Sequence, residues 1–79
     1  MSPAANFFEN VGYLRRRRQM TVAQAASVAG VSAPSWYKYE NGEQFPATSR
    51  RLDDIAAALG VSVPCLFYDK RELMRRKPA

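Results

Sequence analysis

The sequence predicts an all-α domain of five short helices with a basic C-terminal tail. Two observations carry that prediction. Capping residues Asn6, Thr21, Ser32, Thr48 and Ser62 each stand just ahead of apolar residues at helical spacing, and Gly30, Asn41-Gly42 and Gly60 follow where helices end. No stretch alternates apolar and polar residues between turn signals as a strand would.

The elements follow in order. Asn6-Phe7-Phe8-Glu9 reads as a capping box that opens a first helix running to about Gln19. Phe7, Val11 and Leu14 then repeat on one face of that helix. Thr21 with Gln24 is a second capping box, and Val22, Ala25, Ala26 and Ala29 give a short helix whose small side chains admit a close neighbour. Ser32 caps a third helix with Pro34 in its first turn, where a missing N–H costs little. Thr48 caps a fourth, with Leu52, Ile55, Ala56 and Leu59 as its stripe. Ser62 caps a short fifth helix, with Pro64 in its first turn and Val63, Leu66 and Phe67 facing in. The expected core centres on Val11, Leu14, Ala26, Trp36, Tyr39, Leu52, Ile55, Leu59 and Leu66.

With 79 residues the chain is one small domain, near the lower limit for a buried core. It holds one Cys and no His, which excludes a disulfide framework, a Cys/His zinc site and a His-based triad. Asp53 and Asp54 are adjacent on a helix and diverge, so they cannot act as a paired acid and base. The expectation is therefore a non-enzyme without cofactor, metal or small-molecule ligand. A lone thiol fits a reducing compartment, and neither a membrane span nor a secretory leader is legible, so the expected location is cytoplasmic, with the nucleoid. Net charge is +5, a sign that favours nucleic acid. Residues 70–77 carry five bases and one acid, while residues 1–69 are nearly balanced, seven bases against six acids, with four of those bases in the run Arg15 to Arg18. The chain thus divides into a body, 1–69, and a basic tail, 70–79.

The joint between the second and third helices is the informative piece. A tight turn containing Gly30, between two short helices spanning about 21–41, is a helix-turn-helix signature. The wider string resembles the lambda-repressor-like helix-turn-helix family, also called the Cro/C1 or XRE type. The matching elements are Leu14-Arg15, Met20-Thr21, Ala26, Gly30-Val31-Ser32, Glu40-Asn41-Gly42, Pro46, Leu59-Gly60-Val61-Ser62 and Leu66-Phe67. The resemblance implies a DNA-binding regulator, usually a dimer, whose third helix enters the major groove. It also implies an Arg15–Glu40 ion pair joining the first helix to the end of the third.

At about 100° per residue, Trp36 and Tyr39 fall on one side of the third helix, and Pro34, Tyr37, Lys38 and Asn41 on the other. Ala33 and Ser35 lie on its flanks. Tyr37 and Lys38 are the expected base readers, with Ala33 and Pro34 offering apolar contact to thymine methyls. Thr21 and Ser32 cap helix N-termini that suit phosphate, and Arg18 is the arginine nearest the second helix. The resemblance adds the loop after the third helix, with Gln44, as a phosphate contact. Val22, Ala33, Pro34 and Glu43 depart from the family's polar or basic choices, so DNA shape and water are expected to supplement direct readout.

The leading reading is a sequence-specific regulator, a repressor, binding a near-palindromic double-stranded operator as a homodimer. Val63, Cys65, Leu66, Phe67 and Tyr68 would form the dimer contact, because a core this small cannot cover them all. With no chain left for an effector domain, activity would follow concentration, as in a phage Cro-like protein, a restriction-modification controller or an antitoxin. The rival reading is a protein-interaction module that keeps the fold, with Tyr37 and Phe45 as anchors. Phe45 is otherwise expected to pack under the fourth helix.

Overall fold

A computed structural model describes residues 2–75 of the chain. They form α1 (Pro3–Arg17), α2 (Val22–Ala29), α3 (Ala33–Asn41), α4 (Ser49–Leu59), a 3-10 helix (Val63–Phe67) and α5 (Lys70–Arg75), with no strand among the described residues. None of these helices is long and apolar enough to cross a membrane.

Caps and stops set most of the boundaries. Thr21 Oγ1 accepts from the Gln24 amide at 3.1 Å, and Gln24 Oε1 accepts from the Thr21 amide at 2.8 Å, a complete capping box. Ser32 and Thr48 accept from the amides of Ser35 and Arg51. Helices α2, α3 and α4 stop on Gly30, Gly42 and Gly60, at φ of 74°, 78° and 70°. A side chain is strained in that left-handed region, so each glycine ends its helix on backbone grounds.

The first helix starts earlier than the sequence suggests. Ser2 is its cap, accepting from the Ala5 amide, and Pro3 follows in the first turn. Asn6 is no cap: it is buried, and its Nδ2 donates to the Phe67 carbonyl at 3.2 Å. Fully buried Asn10 does the same one turn on, donating to the carbonyls of Leu66 at 3.1 Å and Tyr68 at 2.7 Å. Two amides of α1 thus hold the C-terminal segment in place.

That segment departs from expectation in three ways. Residues 63–67 are a 3-10 helix, and Ser62 makes no capping bond, its Oγ lying 3.3 Å from Cys65 Sγ. Leu66 is fully buried, as its place in the expected core requires, so it offers no surface to a second copy and leaves the expected dimer seam, while Val63, Cys65, Phe67 and Tyr68 lie half-buried against the same core. The basic tail begins as α5, which lies on α1 with Leu73 in the core and Lys70 Nζ 3.2 Å from Glu9 Oε1. Residues 76–79, with Arg76 and Lys77, lie outside the described residues.

Trp36, Phe7, Ile55, Leu59, Leu66 and Val11 are the largest fully buried apolar side chains. Ala25, Ala26 and Ala29 are buried with them, and their small size lets α2 pack on both α3 and α4. Leu52, expected in the core, is only half-buried. Phe45 packs away from α4: its ring centroid is 4.9 Å from Phe7, 6.2 Å from Phe8 and 6.1 Å from Phe67. The loop after α3 thereby leans on α1 and the 3-10 helix.

Candidate nucleic-acid interface

The orientation of α3 rests on one carboxylate. Glu40 Oε2 accepts from Arg15 Nε at 2.6 Å, and Oε1 accepts from Arg15 Nη2 at 3.2 Å. The Trp36 indole N–H donates to Glu40 as well, from one turn back on the same helix. Arg15 Nη1 donates to the Met20 carbonyl at 2.9 Å, which ties the α1–α2 connection into the same cluster. The hydrogen bonds to Glu40 raise the Arg15 pKa above its usual value against the opposing push of burial. Gly12 makes the approach possible: a Cβ there would lie 3.2 Å from Glu40 Oε1 and 3.0 Å from Arg16 Nη1.

With Trp36 and Tyr39 fixed inward, the opposite face of α3 is open. Pro34, Tyr37, Lys38 and Asn41 are exposed, Tyr37 by 53%, and Ala33 and Ser35 are half-buried on the flanks. The Lys38 carbonyl accepts from the amides of Gly42, Glu43 and Gln44, so Gln44 is held beside the end of α3. Ser32 and Ser35 share a 2.9 Å hydroxyl contact. A shallow depression joins Ser32, Ser35 and Gln44 to Thr48 and Arg51 of the α4 N-terminus. A second depression beside it is lined by Val28, Gly30, Arg50 and Asp54.

Arg18 goes elsewhere than the phosphate role expected of it. Its Nη1 donates to the Leu59 carbonyl at 3.3 Å, at the C-terminal end of α4, and it packs over Gly60. A cation there offsets the negative end of the helix dipole. Thr21 is exposed at the start of α2, but its hydroxyl is engaged in the capping box.

Family comparison agrees with this geometry. A family model described as a helix-turn-helix domain matches residues 12–66. The chain belongs to the helix-turn-helix domain family. No curated protein and no solved structure matched it. The turn of this helix-turn-helix domain is Gly30 to Ser32, and membership is consistent with the lambda-repressor-like resemblance and points to a DNA-binding regulator.

Sequence reasoning missed Arg50 and Arg51. Both stand in the first turn of α4, the positive end of the helix, where arginine opposes the dipole and no acid shares that turn. Arg51 Nη1 lies 3.5 Å from the Gly30 carbonyl and 3.9 Å from Asp54 Oδ2, beside the helix-turn-helix domain's own turn. Their signal was available: paired bases in the first turn after the cap Thr48 oppose the helix dipole, and only Arg51 has an acid, Asp54, one turn on. The run Arg15 to Arg18 is the reverse case, since it closes α1 where the dipole welcomes cations.

Proposed function

We propose that the chain is a sequence-specific DNA-binding regulator, a repressor, which occupies a near-palindromic operator as a homodimer. The observation that carries this reading is the division of α3 into an inward face locked by Trp36, Tyr39 and Glu40 and an outward face carrying Tyr37 and Lys38. Tyr37 and Lys38 read bases, with apolar contact from Ala33 and Pro34 and polar reach from Asn41. Ser32, Ser35 and Gln44 face the backbone together with Arg50 and Arg51, and Thr21 presents the α2 N-terminus. Val63, Cys65, Phe67 and Tyr68, without Leu66, form the seam between copies. A seam there sets the two α3 helices about one DNA turn, roughly 34 Å, apart.

Non-specific affinity comes from charge outside α3: Arg50 and Arg51, and Arg71 and Arg75 on α5. The rival interaction-module reading loses part of its support, because the ring of Phe45, though 40% exposed, already packs on Phe7 and Phe67. The test is selection of bound duplexes from a random pool, followed by salt titration on the winner. An enriched inverted repeat is expected, with a log–log salt slope that Arg50→Ala or Arg71→Ala flattens by about 0.9 for each phosphate the variant leaves unneutralised. A pool with no enriched sequence would favour the interaction module.

A further inference from the structure

We infer that the first turn of α3 recognises the 5-methyl group of a pyrimidine rather than the base that carries it, so that thymine and 5-methylcytosine are equivalent ligands there. The inference rests on the DNA-binding reading above and names what that site takes. In a helix-turn-helix domain the N-terminal residues of the second helix meet the base edges. Here those residues have almost no free polar group. Ser32 and Ser35 bond each other, hydroxyl to hydroxyl at 2.9 Å, and Ser32 Oγ also accepts from the Ser35 amide at 3.2 Å. The Trp36 amide donates to the Ser32 carbonyl at 3.0 Å. Pro34 has no N–H, and the Ala33 side chain has no polar atom. Pro34 is exposed and Ala33 half-buried, so the turn offers a base edge a pyrrolidine ring with a methyl group beside it.

In the major groove thymine shows its C5 methyl beside an O4 acceptor, and cytosine shows an N4 donor in place of O4. Telling the two apart takes a hydrogen-bonding group at that edge. The one carboxylate of α3, Glu40, is turned inward onto Arg15 and Trp36, so it cannot accept from cytosine N4. The polar groups of the outward face belong to Tyr37, Lys38 and Asn41, about one turn or more beyond Pro34. The Lys38 ammonium is a donor only and suits guanine O6 and N7. A carbon ring against a base edge gains by burying apolar surface, and the methyl is the apolar part of that edge. Cytosine carrying a 5-methyl presents the same group in the same place. Methylation of cytosine should therefore strengthen sites for this protein rather than block them.

The test uses the full chain and the duplex selected above. Each thymine is replaced in turn by deoxyuridine, which keeps the pairing and removes the methyl. Where affinity falls, four base pairs are compared at that position: thymine with adenine, uracil with adenine, 5-methylcytosine with guanine, and cytosine with guanine. Losing the methyl should weaken binding about fourfold in both comparisons, thymine against uracil and 5-methylcytosine against cytosine. Thymine and 5-methylcytosine should differ by less than the roughly fivefold that a hydrogen-bonding reader would impose. Pro34→Ala leaves the core and the Arg15–Glu40 tie in place, and should bring both ratios toward one with little change in melting temperature. Lys38→Ala should weaken binding but keep both ratios. Three results overturn the inference while leaving DNA binding intact. They are a uracil series with no loss at any position, thymine and 5-methylcytosine separated beyond that limit, and methyl ratios that survive Pro34→Ala. A pool that yields no bound duplex sinks the DNA-binding reading, and methyl recognition with it.

Discussion

The α2–turn–α3 unit and the C-terminal segment after α4 are similar in length but are held by different means. In the first, the capping bonds span three residues, as between Thr21 and Gln24 or Ser32 and Ser35. In the second, the anchoring bonds reach back 56 to 61 residues, from Asn6 and Asn10 to the carbonyls of residues 66 to 68. One region is specified by its own neighbours, the other by a distant helix. The functional face belongs to the locally specified region, so its backbone needs little from the rest of the chain beyond the Arg15–Glu40 tie and the core.

Trp36→Ala should be the most damaging substitution in the first region. It empties a fully buried site and deprives Glu40 of a donor, at a cost of about 3–5 kcal/mol, enough to unfold so small a domain. A variant that melts with the parent would mean that α3 is rotated from the orientation described. Asn10→Ala is the counterpart in the second region. It removes the donor shared by the carbonyls of Leu66 and Tyr68 and should cost about 1–3 kcal/mol. Hydrogen exchange should show residues 63–75 losing protection before α2 and α3 do. Equal loss everywhere would erase the distinction between the two regions.

Tyr37→Ala and Lys38→Ala test the functional face itself. Each should leave the melting temperature nearly unchanged and narrow the gap between operator and random duplex by roughly 1–3 kcal/mol. An unchanged gap for both would remove α3 as the reader. Thr21→Ala should have the smallest effect, about 1 kcal/mol of stability, because the cap supports a helix that packing already holds. Calorimetry resolves it, and a much larger loss would show that α2 depends on its cap more than on its neighbours.

The same division explains how far the sequence can be read. Gly30, Ser32 and the Trp36/Tyr39 spacing act over one or two turns, so the helix-turn-helix domain and the open face of α3 are legible. Asn6 misleads because its type and its distance from Glu9 fit a cap, while its actual partner lies at residue 67. Leu66 reads both as core, which it is, and as part of a dimer seam, because its spacing does not show that α1 leaves none of it for a second copy. Arg18 follows the same pattern, its partner at Leu59 lying far away in sequence. Residues 70–75 read as a basic tail that can extend as a helix through Leu73 and Met74, but its docking on α1 turns on one apolar residue, Leu73, which no local pattern marks as buried. Arg50 and Arg51 differ from these cases, since their opposition to the helix dipole is a signal carried by their own neighbours.

The sole tryptophan of the chain is Trp36, buried in the core with its indole N–H on Glu40, and it sits directly before Tyr37. The protein therefore carries an intrinsic optical probe inside its DNA-facing helix. Emission from a dry, hydrogen-bonded indole should be blue-shifted and shielded from iodide. Because the carboxylate that holds the indole also holds Arg15, loosening that pair should redden the spectrum while the far-ultraviolet signal stays intact. Fluorescence can therefore report a misplaced α3 in a variant that is otherwise folded, without a label.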